Sequence, residues 1–485
     1  MTSGPGGRAS VRPASWPLVV VLLVLGTLHW ALFLGVPPRL PRSGVDWPKE
    51  LRYYAILKQA VGEGRIPYFT ALAILLSPPD ATAKAGQETR KFLAIPETVV
   101  SPQIILLRWL NIDAFFLVHI LILQAAALAG CLALGRRYDL SPPSLVLLWL
   151  ILGFNGHITS HLGIGHSMWG GYFLFPWFFL LVLQLVEQPT APKAPLAVGL
   201  VLAAILLQGS FHPFVWCILF LLLLWVSGRG IRWRVLEALG WTAGLALWRL
   251  VPAAVVLLRR GQQGFETGYP SLTDLAGALI SIHDVGFPPR GTGQSWWEFD
   301  AYIGMTALLW LMAFGWVFIS RERGPAHLLV FPLAVTAILS VDGLYRALSF
   351  SRLPLLGAER ISSRILILPL GLLAVLAATA SDKWQRQAPR RRGWALWGVV
   401  AITAVSLAVH SYVWSLPNLS RLMPSSPHLH NPTIAITGST GTGTLDSLYV
   451  LSVRVSALLS AMVTGVAIWR WRRLSRRDVA ESAPS

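Results

Sequence analysis

Apolar residues run along this chain in long blocks, separated by short segments where polar and basic residues collect. Leu18 to Val36 is one block, and Leu196 to Leu207, Pro213 to Val226, Tyr302 to Ile319 and Ile365 to Ala380 are others. Several reach the roughly 18–20 residues a helix needs to cross a bilayer, and the shorter ones reach it with their flanks. The pattern predicts helices at about 16–36, 113–135, 142–157, 168–186, 195–211, 213–228, 235–258, 302–320, 326–341, 363–380, 394–415 and 447–470. The expected fold class is an all-α polytopic membrane protein with about 12 transmembrane helices in a single domain over 16–470. The first block follows Arg8 and Arg12, as in a signal peptide, but it is longer than an h-region and no small-x-small site follows it cleanly. It is expected to be a retained first helix.

Composition agrees: 54% of the 485 residues are hydrophobic and 13% charged, where a soluble chain carries about 25% charged residues. The formal charge of +18 would ordinarily raise nucleic acid as a partner, but its distribution argues for none. Basic residues cluster at Arg136/Arg137, Arg229/Arg232/Arg234, Arg321/Arg323, Lys383 to Arg392 and Arg470 to Arg477, between apolar blocks or after the last. With a cytoplasmic N-terminus (1–15), every even-numbered helix exits into the cytoplasm, and all these clusters, with the tail at 471–485, fall on that side. The reading is a multi-pass protein of the plasma (inner) membrane with both termini cytoplasmic. Cys131 and Cys217 both lie inside apolar runs, which excludes a disulfide framework or thiolate metal site.

This topology puts four larger segments outside the cytoplasm, at about 37–112, 259–301, 342–362 and 416–446, while the cytoplasmic loops are short and basic. Elaborated chain on one side of a rigid scaffold is where binding and chemistry are expected. Nucleotide motifs are missing: Thr437 to Thr444 is rich in Gly, Ser and Thr but has no phosphate-binding Lys, and no Asp-x-Asp pair occurs. The first external segment says more. It reads Asp46-Trp47-Pro48-Lys49-Glu50, then Tyr53-Tyr54, then Gly62-Glu63-Gly64-Arg65-Ile66-Pro67-Tyr68-Phe69, an amphipathic interfacial helix ended by a Gly-x-Gly-x-x-Pro turn. A second interfacial stretch opens at Ser101-Pro102. A carboxylate held there, Asp46 first and Glu50 as a weaker substitute, could deprotonate a hydroxyl nucleophile. Equally, Asp46 could simply cap the helix.

In these pieces the chain resembles the GT-C superfamily of membrane glycosyltransferases, and most closely the YfhO-like membrane proteins. The matching pieces are Asp46 through Phe69, Phe154-Asn155-Gly156 with Gly165-His166 and Pro176, Ala301-Tyr302-Ile303-Gly304, and Glu359-Arg360-Ile361-Ser362-Ser363-Arg364, over about residues 15–380. The resemblance implies a GT-C-like fold and an inverting transfer of a sugar from a polyprenyl-phosphate donor on the outer face. Its catalytic acid lies in the first external loop, where Asp46 matches. Members sometimes use a divalent metal ion as cofactor. Many relatives add a periplasmic domain after the last helix, whereas this chain ends soon after it, so their acceptor recognition does not carry over.

Three further sets of residues bear on substrate. His157, His161 and His166 lie across one helix turn, and His212 begins another helix. His157 and His161 share a helical face, which suits metal ligands, but sugar or phosphate hydrogen bonding by His166 and His161, or interfacial placement, explains them with fewer partners. Arg249 sits inside an apolar run, at a cost of at least about 2.5 kcal/mol unless paired or facing a cavity. Arg259/Arg260, Arg346, Arg352, Arg360 and Arg364 lie near outer helix ends, where they would hold a lipid phosphate or snorkel to headgroups. Arg360 and Arg364, four apart on a helix, share a face and form the preferred pair. Most of the 22 tryptophans suit membrane interfaces, but Trp297, in Trp296-Trp297-Glu298, combines an aromatic plane with an acid as sugar sites do.

The sequence therefore points to a membrane glycosyltransferase with a lipid or envelope-glycan acceptor, membrane lipids around it and no nucleic acid. Two rivals stand beside it: a flippase or transporter of a lipid-linked glycan, and a non-catalytic membrane assembly protein.

Overall fold

The computed structural model of the chain describes residues 16–41, 46–72, 88–260, 265–285, 292–321, 324–348, 359–422 and 447–482. Its helices are α1 Trp16–Leu34, α2 Trp47–Gly62, α3 Ile112–Tyr138, α4 Pro142–Phe154, α5 Gly156–Ile164, α6 Phe175–Glu187, α7 Ala194–Leu207, α8 Phe211–Ser227 and α9 Arg232–Arg260. They continue with α10 Leu272–Ile280, α11 Met305–Arg321, α12 Val330–Ile338, α13 Asp342–Ala347, α14 Ile367–Arg386, α15 Pro389–Trp414, α16 Leu416–Leu422 and α17 Ser447–Ser482. A short hairpin has no counterpart in the apolar pattern, because it lies in a polar segment. Strands β1 Phe69–Leu72 and β2 Glu88–Lys91 form an antiparallel ladder with Phe69 opposite Lys91.

Among the described residues, eight helical stretches are long and apolar enough to cross a membrane: Trp16–Leu34, Ile112–Tyr138, Pro142–Ile164, Ser167–Glu187, Arg229–Val255, Ser362–Arg386, Pro389–Trp414 and Ser447–Arg476. Four shorter apolar helices, Ala194–Leu207, Phe211–Ser227, Met305–Arg321 and Pro325–Ile338, account for the other four predicted positions. The chain is an all-α, polytopic integral membrane protein.

Local signals set the breaks. Asn111 caps α3 by accepting from the Ala114 amide at 2.8 Å, and the helix ends on Asp139 in the left-handed region, φ 50°. Asn155 interrupts the third span: its backbone is extended, and its side chain accepts from the Ile158 amide to start α5. The joined α4–α5 stretch is wholly buried and α14 nearly so, which puts them at the centre of the bundle. α1, α15 and α17 are mostly exposed and present Leu32, Val405 and Leu458 outward. Apolar surface on that scale fits hydrocarbon as its solvent.

The basic clusters meet at one end. Arg137 pairs with Glu187, Arg386 with Asp139 and Asp382, Arg470 with Glu237, and the Ser141 amide donates to Asp382 at 2.7 Å. The termini of α3, α6, α9, α14 and α17 thus share a face of the bundle. The segments around α2, α10, α13 and α16 join the other ends of the long helices.

Candidate active site

The start of α2 is clamped onto the end of α5. The Asp46 amide donates to the Ile164 carbonyl at 3.1 Å, and the Trp47 indole N–H donates to the Gly163 carbonyl at 3.0 Å. Gly165 permits this contact. Its φ is +97°, and a Cβ there would lie 2.6 Å from the Trp47 nitrogen. Asp46 occupies the N-cap position, yet its carboxylate makes no capping bond. Instead Oδ2 lies 2.7 Å from His166 Nε2 and 3.3 Å from Lys49 Nζ. The capping explanation of Asp46 therefore does not hold. Behind it, His166 Nδ1 meets His161 Nδ1 at 2.8 Å. The Asp46 side chain keeps 39% of its surface exposed while His166 keeps 6%, so the acid is reachable and its partner is not. Burial raises the Asp46 pKa, but the bond and charge of His166, with Lys49, outweigh it and hold the carboxyl well below the usual range.

Lys49 joins three acids. Its ammonium is 3.3 Å from Asp46 Oδ2, 3.5 Å from Glu50 Oε1 and 3.6 Å from Glu97 Oε2. Glu50 is 2% exposed and takes a bond from the Ser167 hydroxyl. Its burial, eased in part by Lys49 and Ser167, pushes its carboxyl up to about 7. Burial alone would raise Glu97 too, but Lys49, His212 and His166 bring it below its ordinary value. Burial works against the charged form of Lys49, and Glu97, Glu50 and Asp46 reverse that and raise it. Glu50 is thus a buried neighbour of the reachable acid.

Arg249 explains how Glu97 is held. The guanidinium donates to the carbonyls of Leu93, Ile95, Pro96 and Thr98 at 2.8–3.3 Å. An arginine inside an apolar run is here neutralised by backbone dipoles of the loop that carries Glu97. It points to no substrate.

Deeper in, Trp169 gathers the histidines. His161 stacks on it at 4.5 Å between ring centroids, His157 meets it edge-on at 4.9 Å, His212 lies at 5.9 Å, and Arg364 sits over the ring at 5.5 Å. Arg364 is buried and paired with Glu298, whose other oxygen accepts from the Trp297 indole at 3.1 Å. Glu359 accepts from His212 and from the Trp216 indole, both at 2.8 Å. The expected Arg360–Arg364 face is absent. The helical turn begins only after Ile361, so the two residues diverge, and Arg360 reaches out to Glu266 at 2.7 Å. Arg346 pairs with Asp342. The side chains of Arg259 and Arg260, and all of Arg352 and of Thr437 to Thr444, lie outside the described residues.

Beside the loop bearing Glu97, a groove of about 880 Å³ opens on the flank of the bundle. Leu57, Ala60, Val100, Ile104, Leu207 and Trp248 line it, together with the polar side chains of Arg65, Gln103 and Gln208. Its lining is almost wholly apolar, as a lipid chain requires.

The residues present do not fit a divalent ion. Among the described residues, no group of three or more His, Cys, Asp and Glu side chains is arranged to hold one. The ring nitrogens facing Asp46 are already bonded, and an ammonium stands among the carboxylates. Lys49, Glu97, Ser167 and Trp169 carry no signal in the sequence that marks them as functional. Lys49 and Glu97 lie in the informative first external segment, but nothing in their spacing shows that the loop folds back.

Fold and site together describe an all-α, polytopic integral membrane protein with a histidine-held acid at one end of the bundle. Among solved structures the chain is similar to the cryo-EM structure of the arabinofuranosyltransferase AftD from Mycobacteria, with a TM-score of 0.53 and 13% identity. The likeness covers 84% of this chain and spans 28% of that protein's length. At that identity it establishes the fold. No protein-family model matches the sequence, and no curated protein does.

Proposed function

We propose that this protein is an inverting membrane glycosyltransferase. It moves a sugar from a polyprenyl-phosphate-linked donor to a lipid or envelope-glycan acceptor on the extracytoplasmic face of the plasma membrane. The observation that carries this reading is the Asp46–His166 pair. It is an ionised, reachable carboxylate fixed at the end of the bundle opposite the basic clusters. The apolar groove beside the Glu97 loop supplies a place for the donor's lipid chain.

In this mechanism the acceptor oxygen attacks the anomeric carbon from the face opposite the phosphate. The carbon–phosphate-oxygen bond breaks and polyprenyl phosphate leaves with the electron pair. The acceptor proton goes to Asp46. A strongly ionised carboxylate is a weak base, but the attacking hydroxyl becomes acidic as its bond to carbon forms, so the transfer is late and downhill. His166, donating through Nε2, orients Asp46 and keeps it ionised.

Trp297 and Arg364 stand behind this site as a buried support through Glu298, and His161 supports His166. Arg360, on the exposed rim beside Glu266, is the arginine of the former pair that an incoming phosphate can reach. Arg249 would have favoured transport, but its two terminal nitrogens donate to the Leu93–Thr98 loop.

The test is reconstitution with a radiolabelled polyprenyl-phosphate sugar and a glycan or lipid acceptor in liposomes. Transfer that depends on the purified protein is expected. Movement of labelled lipid between leaflets without transfer would overturn the reading in favour of a flippase.

A further inference from the structure

We infer that Lys49 is the resident cation of this site, standing where a divalent metal ion would otherwise be needed. The inference rests on the proposed role of Asp46 and names the charge that accompanies it. Three carboxylates from two separate segments, Asp46 and Glu50 at the start of α2 and Glu97 in the loop held by Arg249, converge on one ammonium. Their oxygens stand 3.3–3.6 Å from Nζ. Metal–oxygen bonds for divalent ions are about 2.0–2.6 Å, so the spacing suits an ammonium and is loose for a metal.

The ammonium also blocks the position. A divalent ion placed among these oxygens would lie within a few ångströms of a fixed positive charge, in a part-buried setting where repulsion is weakly screened. The nitrogens that face these carboxylates are already engaged. His166 is committed on both ring nitrogens, to Asp46 and His161, and His212 is committed to Glu359.

Geometry gives Lys49 a reason to be there. Glu50 and Asp46 are one turn apart on α2, and Glu97 approaches from across the site, so without a cation three acids would face one another. Burial already forces Glu50 toward its neutral form, and each further uncompensated charge adds to that cost. A lysine at this position of the helix supplies the compensation from within the chain, and leaves the site independent of metal supply.

The experiment measures Mn2+ binding by electron paramagnetic resonance to the purified full chain in detergent. Wild type, Lys49→Ala, Lys49→Arg and Glu97→Gln are compared, with metal binding read separately from any transfer. Wild type and Lys49→Arg are expected to bind no Mn2+ at this site. Lys49→Ala, with its three carboxylates uncompensated, is expected to gain an Mn2+ signal that wild type lacks, because affinity for a hard cation follows ligand charge. Adding Glu97→Gln to it should remove the gain.

Equal Mn2+ binding by wild type and Lys49→Ala would overturn the inference, as would wild-type binding that Glu97→Gln abolishes. The wild-type comparison stands even if Lys49→Ala fails to fold. If transfer activity is never found but the Mn2+ difference is, the glycosyltransferase reading fails and the charge assignment survives.

Discussion

His166 Nε2 stands 2.7 Å from Asp46 Oδ2 across 120 positions of sequence. This bond joins the first external segment to the end of the third span and turns a loop acid into an oriented one. His161 completes the row behind it, with its Nδ1 2.8 Å from that of His166. An ionised carboxylate only accepts, so His166 donates to it through Nε2, and a single proton between the two Nδ1 atoms links His166 to His161.

Replacing His166 by Gln should therefore weaken Asp46 without deleting it. Burial pushes the Asp46 carboxyl up, and the hydrogen bond and charge of His166, more than those of Lys49, bring it well below its ordinary value. Stability from this carboxyl is present above its unfolded pKa and is lost as pH falls through the depressed folded value. In the variant the folded and unfolded values draw together, so that increment should be missing above the ordinary carboxylate range and the acid-side fall in stability should flatten. Thermal unfolding between about pH 3 and 6 checks this, and superimposable wild-type and variant curves would remove His166 from the role.

Glu50 has the opposite sign. Its folded value is pushed from 4.5 up to about 7 by burial, so its neutral form is the one the fold favours. The fold therefore holds a proton that the unfolded chain has lost, and stability falls as pH rises from about 4.5 to 7. Glu50→Gln removes the titration and should flatten that part of the stability profile, while changing transfer far less than a substitution at Asp46. A melting series in detergent across this range is the measurement, and an unchanged slope would show that Glu50 does not titrate there.

Arg249 should act on structure rather than on substrate. Arg249→Met strips donors from the carbonyls of Leu93, Ile95, Pro96 and Thr98, at about 1–3 kcal/mol for each buried acceptor left unpaired. A large fall in melting temperature is expected, with early proteolysis of the Leu93–Thr98 loop. Arg249→Lys should rescue little, because one ammonium cannot span the same set of carbonyls. Normal stability with lost lipid movement would instead revive a transport role.

Much of this was legible in the apolar pattern. Each helix expected from it has a counterpart, because hydrocarbon as solvent leaves the chain few alternatives to helices. Some of the short pieces that carry the family resemblance also meet in space: Gly156 donates its amide to the Tyr302 carbonyl at 2.7 Å, and Gly165 seats Trp47. Pairings across the fold were not legible. Arg360 and Arg364 read as one helical face because spacing assumes a helix, and the chain is not yet helical at 360. α2 buries Trp47, Leu51, Tyr54 and Leu57 against the protein, partners that its amphipathic pattern does not name. Lys49 and Glu97 became partners only through a loop whose path Arg249 dictates, and no local rule connects residues that far apart.

Sidedness gives a further test. Cysteines placed near Arg136, Arg232 and Arg391 should resist a membrane-impermeant thiol reagent in intact cells, and cysteines at Ile66 and Trp109, both exposed at the other end, should react. The site near Arg323 falls outside the described residues. Labelling at two or more of the basic sites would invert the proposed topology.

Asp46 carries most of the functional weight, and Asp46→Asn isolates its proton. The amide keeps the shape and can still sit beside His166 and Lys49, but it cannot take the acceptor's proton. Such assistance is typically worth about 10²–10⁴ in rate, so turnover should fall by about that factor. The acid also holds Lys49 and His166, so the substitution is not silent for stability as it would be at a free surface position. Part-exposed ion pairs contribute modestly, and the change should stay near about 1 kcal/mol. Transfer from a polyprenyl-phosphate sugar, with melting measured on the same preparations, separates the two effects. A variant that folds like wild type and transfers at the wild-type rate would end the assignment of Asp46 as base, whatever the fold resembles.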